Sequence, residues 1–261
     1  MSASKRQFNL ALETYLELKT DMPSLQPAPI SAPPTLSNVL AEIGPLPHEA
    51  LFLGVASDGL PVLLNLHDPA PGPLLVVGEA GGGKTDFLQS IVHAAIQTHK
   101  SDELQYGVVT NHPDEWEKVD NTKHQVGVFS ASQTSAQDFM LSLATWAHQN
   151  KHSRQSILLL IDDLESVAKL DFDILQNFRW LLGRGPSRRV WPIIAMNAER
   201  YGQVISWIPI FRSRIFSRIR NQRVAEVVSN DKMSGLEKLE APIQFSLREN
   251  EKWVKFWLPS F

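Results

Sequence analysis

The run Leu74-Leu75-Val76-Val77-Gly78-Glu79-Ala80-Gly81-Gly82-Gly83-Lys84-Thr85-Asp86-Phe87-Leu88 joins a short apolar stretch to a glycine-rich loop that closes on Lys-Thr. Its glycines let consecutive backbone N–H groups curl round a phosphate without Cβ clashes, and a helix opening near Gly83 adds the positive end of its dipole. In such a loop, here Gly78, Glu79, Ala80, Gly81, Gly82, Gly83, Lys84, Thr85 and Asp86, the lysine reaches the β- and γ-phosphates and the threonine holds Mg²⁺. An apolar strand precedes it, and Phe87, Leu88, Ile91, Val92, Ala95 and Ile96 follow at helical spacing. All the fixed positions of a phosphate-binding P-loop and its strand-loop-helix context are therefore filled.

A second stretch, Ile157-Leu158-Leu159-Leu160-Ile161, is apolar without interruption, as a strand buried on both faces must be, and it ends in Asp162-Asp163. This reads as a Walker B strand. Asp162 would meet Mg²⁺ beside the P-loop, and Asp163 takes the position expected of a base that polarises the attacking water, with Glu165 as its nearest competitor. Val190 to Asn197 reads as a further strand whose terminal Asn197 would sense the γ-phosphate or orient water.

Arginines crowd the segment from Arg179 to Arg223, where Glu199 is the only acid. Arg212, Arg214 or Arg218 could act as an arginine finger that stabilises charge on the phosphoryl group in flight, and Arg214 is the leading candidate. The cluster could equally track a DNA backbone or pair with acidic surfaces.

The elements that must position these residues alternate. Strands are predicted over Leu51 to Val55, Val62 to Leu66, Gln105 to Thr110 and Gln125 to Phe129, with helices over Ala136 to His148, Leu164 to Leu170 and Ile174 to Leu182. That order predicts an α/β fold, a P-loop NTPase three-layer αβα sandwich of the RecA/ASCE kind around a mostly parallel sheet. Ile243 to Arg248 and Lys252 to Leu258, joined by Glu249-Asn250-Glu251, read as a C-terminal antiparallel hairpin. At the other end, Lys5 to Thr20 has a helical stripe, and Pro23, Pro27, Pro29, Pro33 and Pro34 make Met22 to Pro34 a linker. The expected division is thus 1–35, helix and proline-rich linker, and 36–261, one ATPase domain.

Composition agrees with a globular protein: 261 residues, 43% hydrophobic, 20% charged, net charge -3. This balance does not announce a nucleic-acid binder. Without cysteine the chain has no disulfide and no thiol-based metal or redox site, which suits a reducing cytoplasm. The apolar runs are strand-sized, so no membrane segment is expected.

With these residues in place, the chain from about Pro33 onward resembles the FtsK/HerA group of P-loop motors, and most of all the ATPase modules of the EccC/EssC type VII secretion proteins. Leu53-Gly54 with Leu60 to Leu66, Ser101 to Tyr106, Gly183-Arg184-Gly185, Ile194 to Arg200 and Ser213-Arg214-Ile215 follow in the family's order. The resemblance implies ATP and Mg²⁺ as ligands, and a core that forms a homo-oligomer or stacks with related ATPase modules to move DNA or protein. Asp163 stands where the family commonly has Glu, one methylene longer. Two alternatives stay open: a catalytically weak, nucleotide-dependent scaffold, and an AAA+ initiator or loader-type ATPase, which would carry a helical lid where this chain predicts a hairpin.

Overall fold

The structure, a computed structural model, describes residues 34–119, 122–150, 153–249 and 252–261. The expected helix at Lys5 to Thr20 and nearly all of the proline-rich linker lie outside them. The core begins with helix α1 (Leu36–Ile43), capped by Thr35 Oγ1, which accepts from Asn38 N at 3.3 Å. This helix is not anticipated in the sequence reading. It packs Leu36 and Val39 into a small cluster with Phe52, Val55, Leu63 and Ala94.

Strands β1 (Ala50–Ala56) and β2 (Pro61–Asn65) form an antiparallel pair. Next come β3 (Leu74–Gly78), α2 (Lys84–Thr98), β4 (Leu104–Thr110), β5 (Gln125–Ser130), α3 (Thr134–Gln149) and β6 (Ser156–Asp162). The short α4 (Leu164–Val167), α5 (Phe172–Arg184), β7 (Val190–Asn197), β8 (Ser213–Phe216), α6 (Gln222–Ser229), β9 (Gln244–Glu249) and β10 (Lys252–Trp257) complete the chain. All strands join one ten-stranded sheet in the order β2-β1-β10-β9-β8-β3-β7-β6-β4-β5. From β8 to β5 the pairing is parallel, and from β8 to β2 it is antiparallel.

The parallel half is buried on both faces because its strands are apolar at every position, and alternate residues feed opposite cores. Leu75, Val77, Leu159, Ile161, Ile194 and Met196 meet α3 and α5, whereas Leu74, Val76, Leu158, Leu160, Ile193 and Ala195 meet α2. The result is the expected three-layer α/β sandwich. The predicted C-terminal hairpin forms as β9–β10, in the place where a helical lid would be required of an AAA+ ATPase. It is not an edge addition: it lies inside the sheet and bridges the parallel half to β1–β2.

The two ends of the described core meet. Leu36 N donates to Ser260 O at 2.7 Å and Ser260 N to Pro34 O at 3.1 Å, forming a parallel bridge between Thr35 and Ser260. Among the described residues no helix is long and apolar enough to cross a membrane.

Gly54 shows how tightly the antiparallel half closes. It lies at a register shift in β1 with φ 155°, and a Cβ there would come within 2.6 Å of the Phe256 ring and 2.7 Å of Trp257 O. Because one of these neighbours is backbone, relief requires β10 to move. Gly54→Ala is expected to destabilise the protein by about 1–3 kcal/mol, the usual cost of overpacking, read as a lower melting temperature.

Candidate functional site

Parallel pairing brings the C-terminal ends of β3, β6, β7 and β8 to one edge of the sheet. The register aligns Gly78 with Asn197 and Thr110 with Asp162, and Ser217, just past β8, donates its N–H to Val77 O at 2.9 Å. The P-loop leaves β3 at this edge. Gly81 and Gly83 take positive φ values of 69° and 89°, and α2 starts at Lys84 with Gly83 as its N-cap. Two other segments press on the loop. A Cβ at Gly78 would overlap Ser217 Oγ, one at Gly82 would come within 2.6 Å of it, and one at Gly83 would overlap Pro242 O. Glycine is required at these places by packing alone, whatever the loop binds.

Lys84 Nζ donates to Glu79 O at 2.9 Å. Burial lowers the pKa of its ammonium, while Asp162, Glu165, Asp163 and Glu79 oppose that shift. Thr85 Oγ1 donates to Asp162 Oδ2 at 2.7 Å, so the hydroxyl and the carboxylate expected to share a divalent cation touch. Oxygen donors of this kind suit Mg²⁺, and Thr85 and Asp162 are the residues that would hold it. Burial raises the Asp162 pKa, against the hydrogen bond from Thr85 and the charge of Lys84.

The other predicted residues divide. Glu79 turns its carboxylate away from a phosphate role. Oε1 accepts from Arg218 Nε and Oε2 from Arg220 N, both at 2.9 Å, and together these outweigh burial and lower its pKa. Asp163 caps α4: its Oδ1 accepts from Ser166 N at 3.1 Å and from Ser166 Oγ at 2.7 Å, and Arg200 Nη1 lies 3.9 Å from Oδ2. Asn197 ends β7 as expected, but its Oδ1 accepts from Glu199 N at 3.1 Å and caps the following 3₁₀ turn.

Arg214 is not brought to the P-loop. Its register partner is Leu75, near the start of β3, and its guanidinium donates to the carbonyls of Phe211, Ile208 and Val228. There it lines a cavity of about 550 Å³ with Arg212 and Arg248. Of the three finger candidates, Arg218 alone contacts the P-loop, through Glu79 of its own chain. The arginine cluster is partly structural: Arg189 pairs with Glu49 at 2.9 Å, and Arg179 lies 4.4 Å from the centre of the Trp207 ring.

Two residues are more deeply placed than the sequence suggests. Ser217 Oγ is buried without a hydrogen-bond partner beneath the P-loop. Its only sequence signal is its position after a short strand. Glu165 is 2% exposed, and its carboxyl is hydrogen-bonded to Asn197 N, which donates to Oε1 at 2.9 Å, and to the side chain of Asp163. Burial, reinforced by Asp163, pushes its pKa up to about 7.

No protein-family model matches the chain, and no curated protein sequence matches it. Solved structures do. The cytoplasmic domain of the Thermomonospora curvata type VII secretion ATPase EccC superposes on 88% of this chain with a TM-score of 0.71 at 18% identity. The cytoplasmic domain of EssC covers 95% at a TM-score of 0.66 and 14% identity. The pCW3 conjugation coupling protein TcpA, in its monomer form with ATPγS, covers 97% at 0.63 and 13%. The chain spans 32% of that EccC chain, 51% of that EssC chain and 82% of that TcpA chain.

The raised pKa of Glu165 carries a linkage consequence. Between its ordinary 4.5 and about 7 the folded protein holds a proton that the unfolded chain has released, so unfolding free energy falls as pH rises through this window. In magnesium- and nucleotide-free buffer, the melting temperature of the parent should fall between about pH 5 and about pH 8, and that of Glu165→Gln should fall less. Equal falls in the two proteins would count against a buried, protonated Glu165. The fold is the one that the EccC, EssC and TcpA structures share with this chain.

Proposed function

We propose that this chain binds ATP with Mg²⁺ and hydrolyses it, as an FtsK-like motor or switch domain that acts in an oligomer on DNA or protein. The observation that carries the reading is the closure of Thr85 onto Asp162 next to Lys84, at a P-loop whose Gly78, Gly82 and Gly83 leave no room for a side chain. In this reading the loop's N–H groups and the α2 N-terminus bind the phosphates, and Lys84 leaves the Glu79 carbonyl for the β- and γ-phosphates. Thr85 and Asp162 hold the metal, which supplies charge neutralisation of the phosphates. Asn197 keeps the β7 end against the γ-phosphate position. The ATPγS complex of TcpA supports the choice of ligand, and the multi-ATPase EccC and EssC chains support action alongside other modules.

A second reading, nucleotide binding without turnover, is favoured by one observation: the Asp163 carboxylate is engaged in capping α4. The two readings separate in one experiment, ATP binding and steady-state hydrolysis over a range of protein concentrations with Lys84→Ala as control. The motor reading expects a rate per subunit that rises with concentration, and loss of binding or turnover in Lys84→Ala with the fold retained. Parental turnover in Lys84→Ala would sink both readings of the site, and binding without turnover at any concentration would select the scaffold. DNA as the polymer would appear as an affinity falling steeply with salt.

A further inference from the structure

The main-chain carbonyl of Glu79 is the hub of the P-loop. It accepts from Lys84 Nζ at 2.9 Å and from Gly82 N at 3.1 Å. Once Lys84 turns to a phosphate, this oxygen keeps the Gly82 N–H alone, and the loss of a charge-assisted bond is costly unless another donor replaces it. One such donor lies close by. Ser217 is 0% exposed, its N–H is fixed to Val77 O at 2.9 Å, and its Oγ is buried with no hydrogen-bond partner. Ser217 Oγ and Glu79 O flank the same point, since a Cβ on Gly82 would lie 2.6 Å from the first and 3.0 Å from the second. Buried hydroxyls are almost always partnered in native proteins, so an orphan seated against the loop points to a second arrangement in which it is used. Strand β8 is held between β3 and β9, which leaves the adjustment to the Glu79–Ala80 peptide, next to Gly81 with its φ of 69°.

We propose that Lys84 and Ser217 exchange as donors to the Glu79 carbonyl: Lys84 holds it as described above, and Ser217 Oγ takes it when Lys84 moves to the phosphates of a nucleotide. The inference rests on the nucleotide-binding reading for the departure of Lys84. Ser217 is then a positioning residue. It does not touch the nucleotide, but it stabilises the loop in the shape that a phosphate-bound Lys84 leaves behind. The hydroxyl stands at the root of the segment whose next residue, Arg218, already donates to the Glu79 carboxylate and accepts from the Glu79 N–H. The exchange therefore adds a bond between the loop and the β8–α6 connection at the moment the lysine is drawn away.

The test is a cycle of melting temperatures in magnesium- and nucleotide-free buffer for the parent, Ser217→Ala, Lys84→Ala and the double variant. With Lys84 present, Ser217→Ala removes an unsatisfied buried hydroxyl and is expected to leave the melting temperature unchanged or raised. With Lys84 absent, the hydroxyl already holds Glu79 O, and the same substitution is expected to lower the melting temperature by about 2 °C or more, the weight of one hydrogen bond in a chain of this size. A merely structural serine would respond alike in the two backgrounds, so an equal change in both overturns the exchange. Should Lys84→Ala fail to fold, Lys84→Met, which keeps an apolar stem without the ammonium, takes its place in the cycle. In parallel, a fluorescent ATP analogue with Mg²⁺ is titrated into the parent and Ser217→Ala, and binding to the variant is expected to be weaker by about fivefold or more. A Kd within about twofold of the parent overturns the proposal as well. If the parent itself fails to bind the analogue, the nucleotide reading falls, and the melting cycle, which needs no nucleotide, still decides whether Lys84 and Ser217 compete for the Glu79 carbonyl.

Discussion

The site depends on how closely two distant segments approach the P-loop glycines. Ser217, at the end of β8, fills the space beneath Gly78 and Gly82, and Pro242, just ahead of β9, rests on Gly83. Neither contact survives a Cβ, and both require β8 and β9 to lie where they do, with β8 beside β3 and β9 beyond it. The shape of the P-loop is thus set in part by residues far away in sequence. Glu79 reinforces the arrangement: its N–H donates to Arg218 O while its carboxylate holds the Arg218 side chain and the Arg220 N–H, so one P-loop residue grips the β8–α6 connection three times.

On this frame the electrostatics are one-sided. Lys84 is surrounded by carboxylates, and of the nearby arginines Arg218 and Arg220 are committed to Glu79, while Arg200 stands 3.9 Å from Asp163. A triphosphate entering such a site adds anionic charge to an acid-rich pocket, which a single buried ammonium does not balance. In the proposed function, a divalent cation held by Thr85 and Asp162 would relieve that repulsion.

Much of this is legible in the sequence where information is local. β3 and β6 are unbroken apolar runs, and the P-loop's turn chemistry is written in adjacent residues, so both emerge with nearly correct bounds. Non-local facts do not emerge. Arg214 and Arg218 look equivalent in Arg212-Ser213-Arg214-Ile215-Phe216-Ser217-Arg218, and only the register against β3 puts one at the wrong end of the strand and the other against the P-loop. Asp163 and Glu165 likewise differ in the direction that α4 gives them: one caps the helix from outside, and the other turns inward to β7. Helices α1 and α6 escape a sequence reading because each is only about two turns long, with stability that comes from docking rather than from propensity. The placement of the C-terminal hairpin inside the sheet is illegible too, since strand order is a property of the assembled core.

The bridge between Thr35 and Ser260 sets how this unit can be connected to anything else. Both ends of the core leave from one point, so neighbouring segments attach to it as to a pendant bead and need not wrap around it. Tension drawn through those segments would load the Leu36–Ser260 and Ser260–Pro34 hydrogen bonds first. The sheet, and with it the P-loop, would be shielded from pulling until that small clasp opened.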